Sequence, residues 1–193
     1  MRKFLMILFL LGSAFAQQEA TLSGIIKLDG ETPEGVRVAI HLVDRDNAWQ
    51  REIASVTPVA GTFSISTSTA STEELLDFKS GTVLFPDLIN EYEVSPTDAK
   101  YVRGIVDIYL DYNSNGVFDN SAVDKAMIGI ASLENPVGFF TLIYVDKDVS
   151  VSGKGTQLDF KQGWNIYTVR YPDSGTIYNV EPVVNDLVLD IFF

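Results

Sequence analysis

Short runs of alternating apolar and polar residues recur along this chain, separated by clusters of Gly, Pro, Asn and Asp. A period of two turns one face of a strand toward a core and the other toward water. The clearest run is Val36 to Val43, with Val36, Val38, Ile40 and Leu42 on one face and Arg37, Ala39 and His41 on the other. Leu22 to Leu28 and Gly61 to Ser66 read as strands in the same way. So does Val106 to Leu110, with Val106, Ile108 and Leu110 sharing a face opposite Asp107 and Tyr109. Later strands are expected at Ala126 to Ala131, Gly138 to Val145, Val149 to Ser152, Gln157 to Phe160, Trp164 to Tyr171, Ile177 to Val180 and Leu187 to Phe192.

Helical signals are scarce. Ser71 and Glu74 have capping-box spacing ahead of Leu75, Leu76 and Phe78, which predicts one short helix over Ser71 to Phe78. Many short strands with frequent turn residues predict an all-β, antiparallel β-sandwich carrying that helix. There is no room for the long crossovers of a parallel sheet. The weakly patterned, polar stretch from Glu91 to Arg103 marks the one candidate internal boundary in an otherwise single domain over residues 17–193. The closing run Leu187 to Phe193 alternates and ends on phenylalanine, as outer-membrane barrel strands do. Without a regular series of roughly ten-residue amphipathic strands, it reads as a final sandwich strand.

The start has a different character. Met1-Arg2-Lys3, an apolar run from Phe4 to Leu11 and the exit Ala14-Phe15-Ala16 describe a secretory signal peptide over residues 1–16. The apolar run is too short to span a bilayer as a retained helix. Export to a periplasm, a cell surface or the medium is therefore expected. The chain has no cysteine, which excludes disulfides, thiolate metal sites and a lipoprotein anchor. It also lacks an Asn-x-Ser/Thr acceptor, which fits a bacterial source. Loss of Arg2 and Lys3 with the signal leaves 12 basic against 26 acidic residues, a charge of −14. Such a surface repels nucleic acid and suits divalent cations.

Three segments between residues 21 and 66 carry a resemblance. They are Leu22-Ser23-Gly24-Ile25-Ile26, the strand Val36 to Leu42, and Gly61-Thr62-Phe63-Ser64-Ile65. Together they resemble the prealbumin-like, carboxypeptidase-regulatory-like β-sandwich module, in which a Ser-Gly strand opens the unit and a Gly-x-Phe strand follows a loop. The strand Val106 to Leu110 with its Asp-rich end resembles the later strand that closes such modules in bacterial surface proteins. Leu158 to Asn165 is similar to a strand-turn-strand of exported proteins of the Deinococcus–Thermus kind. The long insertion between Ser66 and Arg103 departs from a minimal module. The resemblance implies a structural or binding role, with no catalytic residues.

Candidate chemistry concentrates in Asp111-Tyr112-Asn113-Ser114-Asn115-Gly116-Val117-Phe118-Asp119. Side-chain oxygens at positions 1, 3, 5 and 9, a glycine at 6 and a main-chain carbonyl at 7 follow the order of groups a calcium loop uses. The expected Ca2+ ligands are Asp111, Asn113, Asn115, the Val117 carbonyl and Asp119, with Asp124 as a further carboxylate. Ala122 stands where an EF-hand places its bidentate glutamate, and the incoming element is a strand. The loop is thus a clip between strands. The alternative is a tight hairpin turn at Asn115-Gly116.

His41 is the only histidine, so a multi-imidazole metal site cannot form within one chain. On a strand face with Arg37 it is expected to be exposed, and a catalytic triad would need it buried beside a serine and an acid. No Asp or Glu stands out as half of a glycosidase pair. Trp164 beside Ile166 is expected in the core, whereas Trp49, in a polar loop, is expected at the surface. The sequence thus supports a secreted, calcium-stabilised structural or adhesive protein of a bacterial envelope, non-enzymatic, with other envelope proteins or glycans as partners. The alternative is a carbohydrate-binding module.

Overall fold

The computed structural model describes residues 18–27, 33–44, 48–67, 74–78, 92–119, 122–153 and 155–192. The expected signal peptide lies outside the described residues. In the first half are β1 (Thr21–Lys27), β2 (Val36–Val43), β3 (Trp49–Val56), β4 (Thr62–Ser66), β5 (Leu76–Asp77), β6 (Glu93–Ser95) and β7 (Lys100–Leu110). The second half holds β8 (Lys125–Ala126), β9 (Ile128–Glu134), β10 (Val137–Val145), β11 (Val149–Gly153), β12 (Thr156–Phe160), β13 (Gly163–Arg170), β14 (Ile177–Glu181) and β15 (Val183–Phe192).

The protein is all-β, and the runs read from the sequence fall on strands. The larger sheet follows the path β3-β2-β7-β10-β9-β15-β1-β4, with β13 and β14 branching from β10. Its two ends, β3 and β4, lie side by side without pairing among the described residues, so the path is close to a barrel. A second sheet is ordered β12-β11-β6.

Among the described residues the short helix is not found. Ser71, Thr72 and Glu73 lie outside the described residues, while Leu76 and Asp77 form β5 and pair with Tyr101 and Lys100 of β7. The local capping signal is overridden by a free strand edge that offers hydrogen bonds and by the apolar cover that Leu75 and Leu76 supply. A second difference is that β1 and β15 run parallel, from Thr21↔Val183 to Lys27↔Asp190. The crossover objection does not apply, because these strands come from opposite ends of the described chain and the whole fold intervenes.

The layers follow from alternation. In β10 and β13, Leu142, Tyr144, Trp164 and Ile166 enter one core with Leu22, Ile40, Phe63 and Leu187. Their neighbours Ile143, Val145, Tyr167 and Val169 enter a second core with Val149, Val151, Leu158 and Phe160 from the small sheet. The β10–β13 pair is therefore a middle layer, and β13 is buried along nearly its whole length. Arg170, at the end of β13, holds Asp186 of β15 through two hydrogen bonds of 2.5 and 2.8 Å and donates to the Asn135 carbonyl at 2.9 Å. The guanidinium draws the Asp186 carboxyl below its ordinary range, chiefly through that hydrogen bond.

Gly24 sits at the bulge where the β1–β15 register shifts. A Cβ there would stand 2.0 Å from the Leu187 carbonyl oxygen, a backbone atom that cannot swing aside. Gly24→Ala is expected to cost about 1–3 kcal/mol through forced displacement of β15, lowering the thermal midpoint by roughly 2–4 °C per kcal/mol. A melt unchanged from wild type would contradict this packing.

Candidate functional site

The loop from Asp111 to Asp119 leaves the end of β7 and folds back over the outer face of β2 and β3. Three hydrogen bonds fix it there. Asp111 N donates to the Gly35 carbonyl at 2.9 Å, Ser55 Oγ donates to the Gly116 carbonyl at 2.9 Å, and Phe118 N donates to Glu52 Oε2 at 3.1 Å. Arg37 braces this contact by donating to Ser55 Oγ at 2.8 Å.

Within the loop, Asp111 is buried and its two oxygens accept the amides of Asn115 (3.2 Å) and Gly116 (2.8 Å). Asn113 Oδ1 accepts from Asn115 N at 3.1 Å, and Asn115 Oδ1 from Val117 N at 2.9 Å. The amide groups of Asn113 and Asn115 both donate to Asp119 Oδ2, at 2.6 and 2.8 Å. Asp124, buried just before β8, receives Tyr112 N at 3.1 Å and Asp119 N at 2.9 Å. The side chains of Asp111, Asn113, Asn115, Asp119 and Asp124 are thus brought into one linked cluster, and Val117 joins it through its amide while its side chain is exposed.

The backbone separates the two readings of this loop. A two-residue hairpin turn of the Asn-Gly type needs positive φ at both central residues. Here positive φ falls on Ser114 (56°) and Gly116 (84°), with Asn115 between them outside that region. Among the described residues, no three His, Cys, Asp or Glu side chains converge as a ready metal cage. The set expected from the sequence includes side-chain amides and a carbonyl as well as carboxylates. Each carboxylate that accepts two amides retains further lone pairs.

His41 lies beneath this loop, and its expected exposure is corrected: only 2% of it is accessible. The strand pattern placed it on an outward face correctly, but that face is roofed. Trp49 stacks on the imidazole at 4.2 Å and 5°, and Phe118 meets the edges of both, at 6.1 Å from His41 and 4.9 Å from Trp49. His41 Nδ1 is 3.4 Å from Asp107 Oδ2 and Nε2 is 3.7 Å from Glu52 Oε2, but neither nitrogen completes a hydrogen bond among the described residues. Glu52 faces His41 across the β2–β3 register, and Asp107 of β7, opposite Ala39 of β2, lies two pairs away. Burial, with Glu52 beside it, pushes the Tyr109 phenol up to about 12, so it stays protonated.

This cluster opens into a pocket of about 520 Å³ walled by His41, Trp49, Glu52, Phe118, Asp119 and Ala126. Trp49 is half-buried there, whereas Trp164 is in the core as expected. Sequence reading missed Glu52 and Asp107 as neighbours of His41. The available signal was that each falls on the outward face of a strand adjacent to β2. Comparison of the chain with protein-family models, curated proteins and solved structures gave no match. The chemistry of the site therefore stands on its geometry.

Asp124 carries two loop amides that no other side chain receives. Asp124→Ala is expected to cost about 1–3 kcal/mol by leaving those donors short of a partner, measured by urea unfolding. A loss below about 0.5 kcal/mol, the ordinary surface value, would contradict this role.

Proposed function

We propose that the protein is a secreted β-sandwich of the prealbumin-like, carboxypeptidase-regulatory-like kind, stabilised by Ca2+ and serving as a structural or adhesive component of a bacterial envelope. Other envelope proteins or glycans are its partners in this reading, and it performs no catalysis. The observation that carries it is the charge of the Asp111 loop. Asp111 and Asp124 are more than nine-tenths buried, Asp119 is tied to both asparagines, and none of the three has a Lys or Arg within ion-pair distance among the described residues.

Backbone amides compensate part of that charge. Three carboxylates linked through one short loop still leave it net negative, and a divalent cation is the economical counter-charge. Oxygen ligands of mixed charge, spaced along a loop that a serine and a glutamate already hold in place, suit a hard cation of flexible coordination. With two amides among the ligands, affinity falls on the order of 10⁻⁴ to 10⁻³ M, as in extracellular modules. The ion acts by mass action on the folded state, as a clip that joins the β7–β8 connection to β2 and β3.

Calcium titration of chelator-treated protein tests this. At about 10 mM Ca2+ such affinities stabilise the fold by about 1.4–2.7 kcal/mol, equivalent to roughly 3–10 °C in thermal midpoint. Asp119→Asn keeps the side-chain shape and removes one charge, so it is expected to abolish most of that gain while changing the metal-free melt little. Absence of both heat and a shift in midpoint for the wild-type protein would refute the ion.

A further inference from the structure

We infer that the pocket beside the ion loop is a binding site for a neutral sugar unit of a glycan. The site adjoins the proposed cation position and shares Asp119 with it, and its walls are in place without an ion. Its floor is His41, a polar side chain almost wholly buried whose two nitrogens lack hydrogen bonds among the described residues. Those nitrogens are closed to solvent and face Asp107 and Glu52 at 3.4 and 3.7 Å, so the imidazole backs Trp49 as a rigid floor. The pocket it lines, about 520 Å³, has the size of a small-ligand site.

The lining selects the chemistry. Trp49 and Phe118 meet at 4.9 Å with an interplanar angle of 81°, giving an apolar corner that matches the C–H face of a pyranose ring. Glu52 and Asp119 offer acceptors, and the Gln50 amide offers a donor and an acceptor at the rim. Hydroxyl groups donate and accept at once, so a polyol satisfies this mixture. An anion would meet two carboxylates. The one cationic side chain on the wall among the described residues, Arg51, is engaged by Glu74 through two bonds of 3.1 Å. A cationic ligand would have the carboxylates in its favour, so it must be tested against the sugar.

Trp49 gives the readout, because the other tryptophan, Trp164, is in the core away from the pocket. The probes are cellobiose, maltose, lactose, chitobiose and mannobiose, with choline as the ammonium competitor. Each is titrated against the mature protein by tryptophan emission and by calorimetry, once with calcium and once with chelator. A saturable shift with at least one disaccharide in either state supports the site, so the outcome is independent of whether the loop holds calcium. Trp49→Ala is expected to weaken that binding by about tenfold or more, as loss of a buried aromatic anchor does. Glu52→Gln keeps the shape and the acceptor for Phe118 N and is expected to weaken it several-fold. It also decides the matter if Trp49→Ala does not fold. No shift with any disaccharide, binding of choline alone, or sugar binding unchanged in folded variants would overturn the inference.

Discussion

The β10–β13 pair is the constraint on which the rest of the structure depends. Its register, from Gly138↔Arg170 to Val145↔Gly163, sends alternate residues into two different cores. Each large side chain fully buried there contributes about 1.5–3 kcal/mol relative to exposure, and Tyr144, Trp164, Ile166 and Tyr167 are all under 2% accessible. A slip of one residue would exchange the two faces and misplace every one of these groups at once. With no cysteine in the chain, cross-linking cannot hold the layers. The packing of this middle pair and the Arg170–Asp186 clamp hold them instead.

From that layer the functional face is built outward. β7 pairs with β10 over Tyr101 to Gly104 and with β2 over Arg103 to Leu110, so the rigid pair fixes where β7 ends and where Asp111 begins. The loop then returns over β2 and β3 and covers polar groups, the reverse of ordinary core formation. His41 and Tyr109 lie against Trp49 and Phe118, with Glu52 and the more exposed Asp107 beside the imidazole. Burying such groups is costly unless each is paired or neutralised. The proposed ion clip and the proposed sugar pocket both draw on that one arrangement, since Phe118 and Asp119 belong to both the loop and the pocket wall.

Alternation made most strands legible. Val36 to Leu42, Phe63 with Ile65, and Ile108 with Leu110 face the core as their spacing implies. The clustering of Asp111, Asn113, Asn115 and Asp119 was equally readable, because it is a local pattern whose groups are linked by hydrogen bonds within one loop. Long-range facts were not. Nothing near His41 in the sequence announces Phe118 as its lid, and the parallel pairing of β1 with β15 joins strands at opposite ends of the described chain. Ser71 and Glu74 gave a local helix signal, but Leu76 and Asp77 follow the edge of β7 instead. Local preference is worth tenths of a kcal/mol per residue, and strand pairing over an apolar surface outweighs it.

Diffraction from calcium-grown crystals at a wavelength where calcium scatters anomalously addresses the central claim most directly. The account predicts a single anomalous peak in the loop, with oxygens of Asp111, Asn113, Asn115, Asp119 and the Val117 carbonyl at about 2.3–2.6 Å. In that state the asparagine oxygens turn toward the ion and their amides leave Asp119. A loop with no peak, in which Asn113 and Asn115 still donate to Asp119, would contradict it and reduce the motif to a turn.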